Sequence, residues 1–200
     1  MRQALRGGGL AALLLLAACV PPEGTEPATG GATEAPPPPA PRLSPQDAAS
    51  RLPAEAAGFR RGHTLPARPP ATGQEVAYAT PAARQRAAAM VKLAPAGDAL
   101  PDGPDSAAAG AAFQAELNDA VQGRDRARHL REVRRFVVAG ALNCAALEGT
   151  YGRQPVEALV CAGGVGGNLV RLKLSMPKLQ PALADGPAFA SAIVASLRGR

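Results

Sequence analysis

Three cysteines, Cys19, Cys144 and Cys161, and two histidines, His63 and His129, are the residues of this chain best suited to do chemistry. Neither histidine stands in a metal-binding spacing such as H-E-x-x-H, and the chain has no C-x-x-C pair and no G-x-S-x-G elbow. A catalytic triad is assembled in space, so a hydrolase that uses His63 or His129 stays open as an alternative function. The sequence predicts no metal site, no cofactor and no assignable catalytic residue.

A glycine-rich stretch, 163–167, is a second candidate, because glycine loops can cradle phosphate groups. The dinucleotide fingerprint G-x-G-x-x-G would need glycine at position 169, where leucine stands. The fingerprint also requires a helix to follow, whereas residues 170–176 alternate between apolar and polar side chains as a strand does. Glycine and asparagine between two strands favour a hairpin loop. We therefore interpret this stretch as a loop without a phosphate site.

The start of the chain has the pattern of a secretory signal. Arg2 and Arg6 precede an apolar run, 10–18, which Pro21 and Pro22 follow closely. This run is about half of the roughly 20 residues that a membrane-spanning helix needs. A basic start, a short apolar centre and small residues before a break are typical of a cleaved export signal.

The four residues Leu16-Ala17-Ala18-Cys19 resemble the lipobox of bacterial lipoproteins at every position. The resemblance implies that residues 1–18 are removed and that the thiol of Cys19, the new N-terminus, carries diacylglycerol. Val20 follows, and a residue other than Asp at this place implies sorting to the outer membrane, facing the periplasm. Several acyl chains anchor a protein stably, since each buried methylene contributes about 0.8 kcal/mol.

The charge of the chain bears on its partners. The formal net charge is +6, and removal of Arg2 and Arg6 would lower it to +4 (6 − 2). For an exported protein this modest excess argues against a nucleic-acid partner. The expected partners are the membrane, through the N-terminal lipid, and an envelope protein or anionic polysaccharide.

Composition divides the mature chain into two parts. The segment 19–45 consists of the lipidated cysteine and a stretch of Pro, Ala, Gly, Thr and Glu with little to bury, which is typical of a disordered tether. Four consecutive prolines, 36–39, favour locally stiff polyproline II. The segment 46–200 has the size of a single domain, and it carries no motif of a characterised family.

The domain is predicted to be α+β, with a mainly antiparallel sheet, a C-terminal three-strand meander, one long helix before it and a closing C-terminal helix. The long helix spans 106–122, with Asp105 or Ser106 as its cap and Gly123 as its end. Asp185 caps the closing helix. Residues 124–135 fit either a helix or a strand. The predicted strands are 59–63, 75–79, 87–93, 133–139, 141–150, 156–162 and 169–176.

The first hairpin of the meander predicts a disulfide. Gly152 and Arg153 suit a two-residue type II′ turn, which makes Tyr151 and Gln154 the first pair. Counting outward, Cys144 then faces Cys161 at a non-hydrogen-bonded position, where strands approach most closely. Because export permits oxidation and Cys19 is consumed by lipid, we expect a Cys144–Cys161 bridge with a purely structural role. Two buried free thiols are the alternative.

The second hairpin is predicted from the glycine-rich loop. If Ala162 pairs with Asn168 across that loop, Lys173 lies opposite Glu157 and relieves its contact with Glu148. In this register Arg171 shares the face of the two cysteines. The opposite face then collects apolar residues from all three strands: Ala145, Leu147, Val156, Ala158, Val160, Val170, Leu172 and Leu174.

Overall fold

The computed structural model of the chain describes residues 42–69, 71–81, 85–97, 100–122 and 127–199. The predicted signal peptide, Cys19, nearly all of the predicted tether and the predicted helix end at Gly123 lie outside these ranges. No helix in the described ranges is both long enough and apolar enough to cross a membrane.

The described residues form three helices and one eight-stranded antiparallel sheet, which confirms the predicted mixture of helices with antiparallel sheet. The sheet order is β1-β2-β3-β4-β8-β7-β6-β5, so two consecutive four-strand meanders join along β4 and β8, and α2 connects them. The elements are α1 (Pro45–Arg51), β1 (Glu55–Ala56), β2 (Phe59–Pro66), β3 (Gln74–Ala79), β4 (Ala88–Pro95), α2 (Ala107–Gln122), β5 (Arg128–Val138), β6 (Leu142–Tyr151), β7 (Gln154–Val165), β8 (Asn168–Pro177) and α3 (Gly186–Leu197).

Two helices begin where the sequence places their caps. The Ser106 hydroxyl accepts a hydrogen bond from the Ala109 amide (3.0 Å), and the Asp185 carboxylate accepts one from the Ala188 amide (2.9 Å). These bonds satisfy amides that have no partner within the helix. The first helix, α1, was not predicted. It begins at Pro45, the last residue of the predicted tether, and the hydroxyl of Ser44 caps it.

The sheet is covered on both faces. One face packs against α1 and α3, with a core that includes Phe59, Leu172 and Phe189. The other face packs against α2 through a second, smaller cluster that includes Phe113, Leu117 and the β7 residues Val156, Ala158 and Val160. Burial of apolar surface on both faces contributes about 25 cal/mol per Å², and this is the main term that holds the helices on the sheet.

The ambiguous segment 124–135 resolves into a strand from Arg128 onward, while 123–126 lie outside the described residues. β5 pairs with β6 along its length, with a bulge between Glu132 and Arg134. Pairing with a neighbouring strand outweighs the helical spacing of the arginines, since β propensity depends mostly on cross-strand packing. The second meander therefore has four strands, one more than predicted.

The register of the first hairpin is confirmed in full. Tyr151 pairs with Gln154, Gly152 has the positive φ (59°) that the turn requires, and Cys144 lies opposite Cys161. The two cysteines form a disulfide with a Cα–Cα distance of 4.1 Å. Both are fully buried in the core beneath α3, and such a bridge, sealed from solvent, fits a structural role.

The register of the second hairpin is wrong by three residues. Val165, rather than Ala162, pairs with Asn168, because Gly166 and Gly167 alone form the turn with φ values of 60° and 77°. β7 continues through the preceding glycines, where a Cβ on Gly163 would overlap the Ala141 carbonyl oxygen. These glycines permit close approach of another backbone segment.

An odd shift along a strand exchanges its two faces. Val170, Leu172 and Leu174 therefore lie on the cysteine face under α3, and the single apolar face predicted for the meander is wrong. Arg171 and Lys173 turn instead toward the carboxylates of α2. Glu157 pairs with Met176 in place of Lys173.

Candidate binding pocket between β5 and α3

The structure does not bring the two histidines together. His63 lies on β2 and His129 on β5, with five strands between them in the sheet order, and both are exposed. Among the described residues neither imidazole makes a hydrogen bond or an ion pair. No group of three or more His, Cys, Asp or Glu side chains in the described part of the chain could hold a metal ion. The described fold therefore brings no group of residues together around either histidine that would support the hydrolase alternative.

A pocket of about 380 Å³ opens on the cysteine face of the sheet, between β5 and the start of α3. Sequence reasoning did not find it, because its residues come from four strands, α3 and the segment before α3, and form no motif. Its described lining residues are Val133, Arg134, Phe136, Ala146, Leu147, Glu148, Glu157, Ala158, Leu159, Leu174, Met176, Ala182, Ala184, Asp185, Gly186 and Pro187.

The first turn of α3 sets one wall of the pocket. Gly186 is buried against β7 and β8, where a Cβ would stand only 3.1 Å from Leu174 Cδ2 and 3.5 Å from Leu159 Cδ2. The Asp185 cap holds the helix start in place, and Pro187 occupies the first turn, where its missing amide leaves no bond unmade. The first turn of α3 packs on β7 and β8, and the pocket is the open space between this turn and β5.

The floor of the pocket carries two carboxylates that face each other across β6 and β7, Glu148 and Glu157. Like charges in such a pair destabilise a sheet unless they are compensated. Glu148 is compensated, because Lys178 Nζ lies 2.9 Å from its Oε1 and Arg131 lies 3.8 Å from its Oε2. The hydrogen bond from Lys178 is the main cause that lowers the pKa of Glu148, so this carboxylate is held ionised.

Glu157 has no such compensation. The observed register places Met176 beside it and moves Lys173 to the opposite face of the sheet. Within the described ranges no basic side chain lies within ion-pair distance of its carboxylate. The pocket therefore contains a partly buried carboxylate that has no ion-pair partner among the described residues and is bordered by apolar side chains.

The rim of the pocket is formed by β5. The Arg134 guanidinium stands 4.6 Å from the centroid of the Phe136 ring, a cation–π contact, and it forms no ion pair with any described carboxylate. Val133, at the bulge, is half-exposed beside it. The arrangement can bind a small molecule through apolar contacts and charge, and its described lining residues include no Ser, Thr, Cys or His side chain.

A scan against protein-family models and searches of curated proteins and of solved structures find no match to this chain.

Proposed function

We propose that the chain is a lipid-anchored envelope lipoprotein whose domain serves as a non-catalytic binding or accessory module. The observation that supports the anchor is Leu16-Ala17-Ala18-Cys19, which fits the lipobox at every position and follows a basic start and a short apolar run. Val20 supports placement in the outer membrane, with the domain facing the periplasm.

The binding role is supported by the pocket beside β5. Its apolar lining and its few charged groups are those of a ligand site, while the described histidines stand apart from each other and from the pocket. An envelope protein or anionic polysaccharide remains the proposed larger partner, because the mature chain would carry a net charge of +4 (6 − 2).

The anchor is tested by mass analysis of the mature N-terminus. We expect cleavage before Cys19 and a diacylglycerol mass on its sulfur. The Cys19→Ser variant should be neither acylated nor processed, because a hydroxyl cannot replace the thiolate in thioether formation. An unmodified Cys19, or a chain that retains Met1, would contradict the proposal.

The binding role is tested separately, by capture of partners from detergent-solubilised envelope with the full mature chain. A stoichiometric partner supports an accessory module. Hydrolysis of an envelope substrate that is lost in His63→Ala or His129→Ala would instead favour the enzyme alternative.

A further inference from the structure

We infer that the pocket between β5 and α3 binds a small apolar cation, namely a protonated primary amine on a short hydrocarbon chain. This inference rests on the proposed binding role and adds the chemical class of the ligand.

The first argument is the charge of the lining. Among the described lining residues three carry carboxylates, Glu148, Glu157 and Asp185, and one, Arg134, carries a cation. Two of the carboxylates are already engaged: Asp185 caps α3, and Glu148 pairs with Lys178. Glu157 is the carboxylate left for a ligand.

The second argument is the position of the one lining cation. The exposed Arg134 guanidinium at the rim stands over the partly buried Phe136 ring, 4.6 Å from its centroid. An ammonium group at Glu157 would form a charge-assisted hydrogen bond, which is roughly twice as strong as a neutral one.

The third argument is the apolar part of the lining. Leu159, Leu174, Met176 and Pro187 surround the floor near Glu157 and offer no hydrogen-bond partner for a second polar group. The volume of about 380 Å³ lies near the lower end of the range, roughly 300–1,000 Å³, of pockets that bury small ligands. A hydrocarbon chain of a few carbons fits this space.

A second pocket provides an internal contrast. It measures about 300 Å³, lies on the α2 face, and is lined by apolar residues together with Tyr78, Arg128, Lys173 and Ser175, with no carboxylate among its described lining residues. An apolar ligand without charge could enter either pocket, whereas of the two only the first offers a carboxylate to an amine among its described lining residues. Selectivity for the amine is therefore the property to measure.

The experiment is calorimetric titration with n-hexylamine, n-hexanol and hexanoate, which share one hydrocarbon chain. The protein is the chain from residue 19 with Cys19→Ser, which retains every described residue and lacks the lipid. We expect hexylamine to bind about tenfold or more tightly than hexanol, and hexanoate to bind most weakly.

Three variants locate the binding. Glu157→Gln keeps the shape and should remove the preference for the amine while hexanol binding is unchanged. Ala146→Phe should fill the pocket and abolish binding of all three probes, and Met90→Phe, in the second pocket, should leave hexylamine binding as it is. Thermal unfolding of each variant establishes that it is folded.

Equal affinity for hexylamine and hexanol, an unchanged amine preference in Glu157→Gln, or no hexylamine binding would overturn the inference. None of these results would affect the acylation of Cys19 or the capture of an envelope partner. Failure of the ligand assignment is therefore distinguishable from failure of the proposed function.

Discussion

At the scale of single residues, the Cys144–Cys161 bridge joins two neighbouring strands and encloses a short loop, with a sequence separation of 17. In the chain-entropy account, such a link stabilises the fold by about 3 kcal/mol because it restricts the unfolded chain. Both cysteines are fully buried, so reduction requires the strands to open first.

We therefore expect Cys144→Ala/Cys161→Ala to lower the free energy of unfolding by about 3 kcal/mol in urea denaturation. Reductant should lower the stability of the parent chain to a similar degree and leave the double variant unaffected. Thiol titration of the denatured, unreduced Cys19→Ser chain should find no free sulfhydryl. Two reactive thiols in that assay would refute the bridge.

At the scale of elements, α2 is joined to β8 by ion pairs as well as by its apolar stripe. Glu116 on α2 is 7% exposed, with Oε2 2.6 Å from Lys173 Nζ and Oε1 3.6 Å from Arg171 Nη1. Oε2 accepts no hydrogen bond from the described residues, and Lys173 donates one to Asp119 instead (2.6 Å). This network is half-buried, in contrast to the exposed pair of Glu55 and Arg60.

We predict that Glu116→Gln lowers the free energy of unfolding by about 1–3 kcal/mol, because it leaves Arg171 without a described carboxylate within 4 Å. The matched control is Glu55→Gln, which should cost less than about 1 kcal/mol, since exposed ion pairs contribute little. Urea denaturation of both variants measures the difference. Equal losses of unfolding free energy in the two variants would show that burial of the α2 network adds nothing to stability.

At the scale of the whole molecule, the packed domain starts earlier than its composition suggests. Both backbone groups of Leu43 are bonded to the β7–β8 hairpin: its amide donates to the Gly166 carbonyl (3.1 Å), and its carbonyl accepts from Asn168 Nδ2 (2.9 Å). Asn168 is fully buried, and Arg42 Nη1 donates to the Gly97 carbonyl (3.1 Å). Residues 42 and 43 are therefore bonded to the domain, with Leu43 held at the tip of this hairpin.

The Arg42–Leu43 bond is the first tryptic site after residue 18, since the segment 19–41 contains no Lys or Arg. We expect this bond to resist trypsin in the parent chain, because proteolysis needs local opening. Asn168→Ala should speed release of the peptide 19–42, whereas Asn118→Ala, on the exposed face of α2, should not. Mass analysis of the digest follows this peptide, and equal release from all three chains would contradict the bonded junction.

The sequence alone determined the features that depend on neighbours along the chain. The Gly152 turn sets the β6–β7 register through local backbone geometry, and the register in turn places Cys144 opposite Cys161. The cap residues Ser106 and Asp185 set two helix starts in the same local way. Each of these features could be predicted because few residues decide it.

Only the tertiary structure decided the β7–β8 register, the strand character of residues 128–132 at the start of β5, and the pocket. Glycine is compatible with both a loop and a strand, so Gly163 and Gly164 acquire their role from backbone that approaches across space, from Ala141 and Pro101. Because β7 continues through these glycines, the register shifts by three residues and Lys173 lies on the α2 face. Glu157 is then left without an ion-pair partner among the described residues, under the start of α3. The free energies that decide it come from contacts between residues distant in sequence, and no local pattern records them.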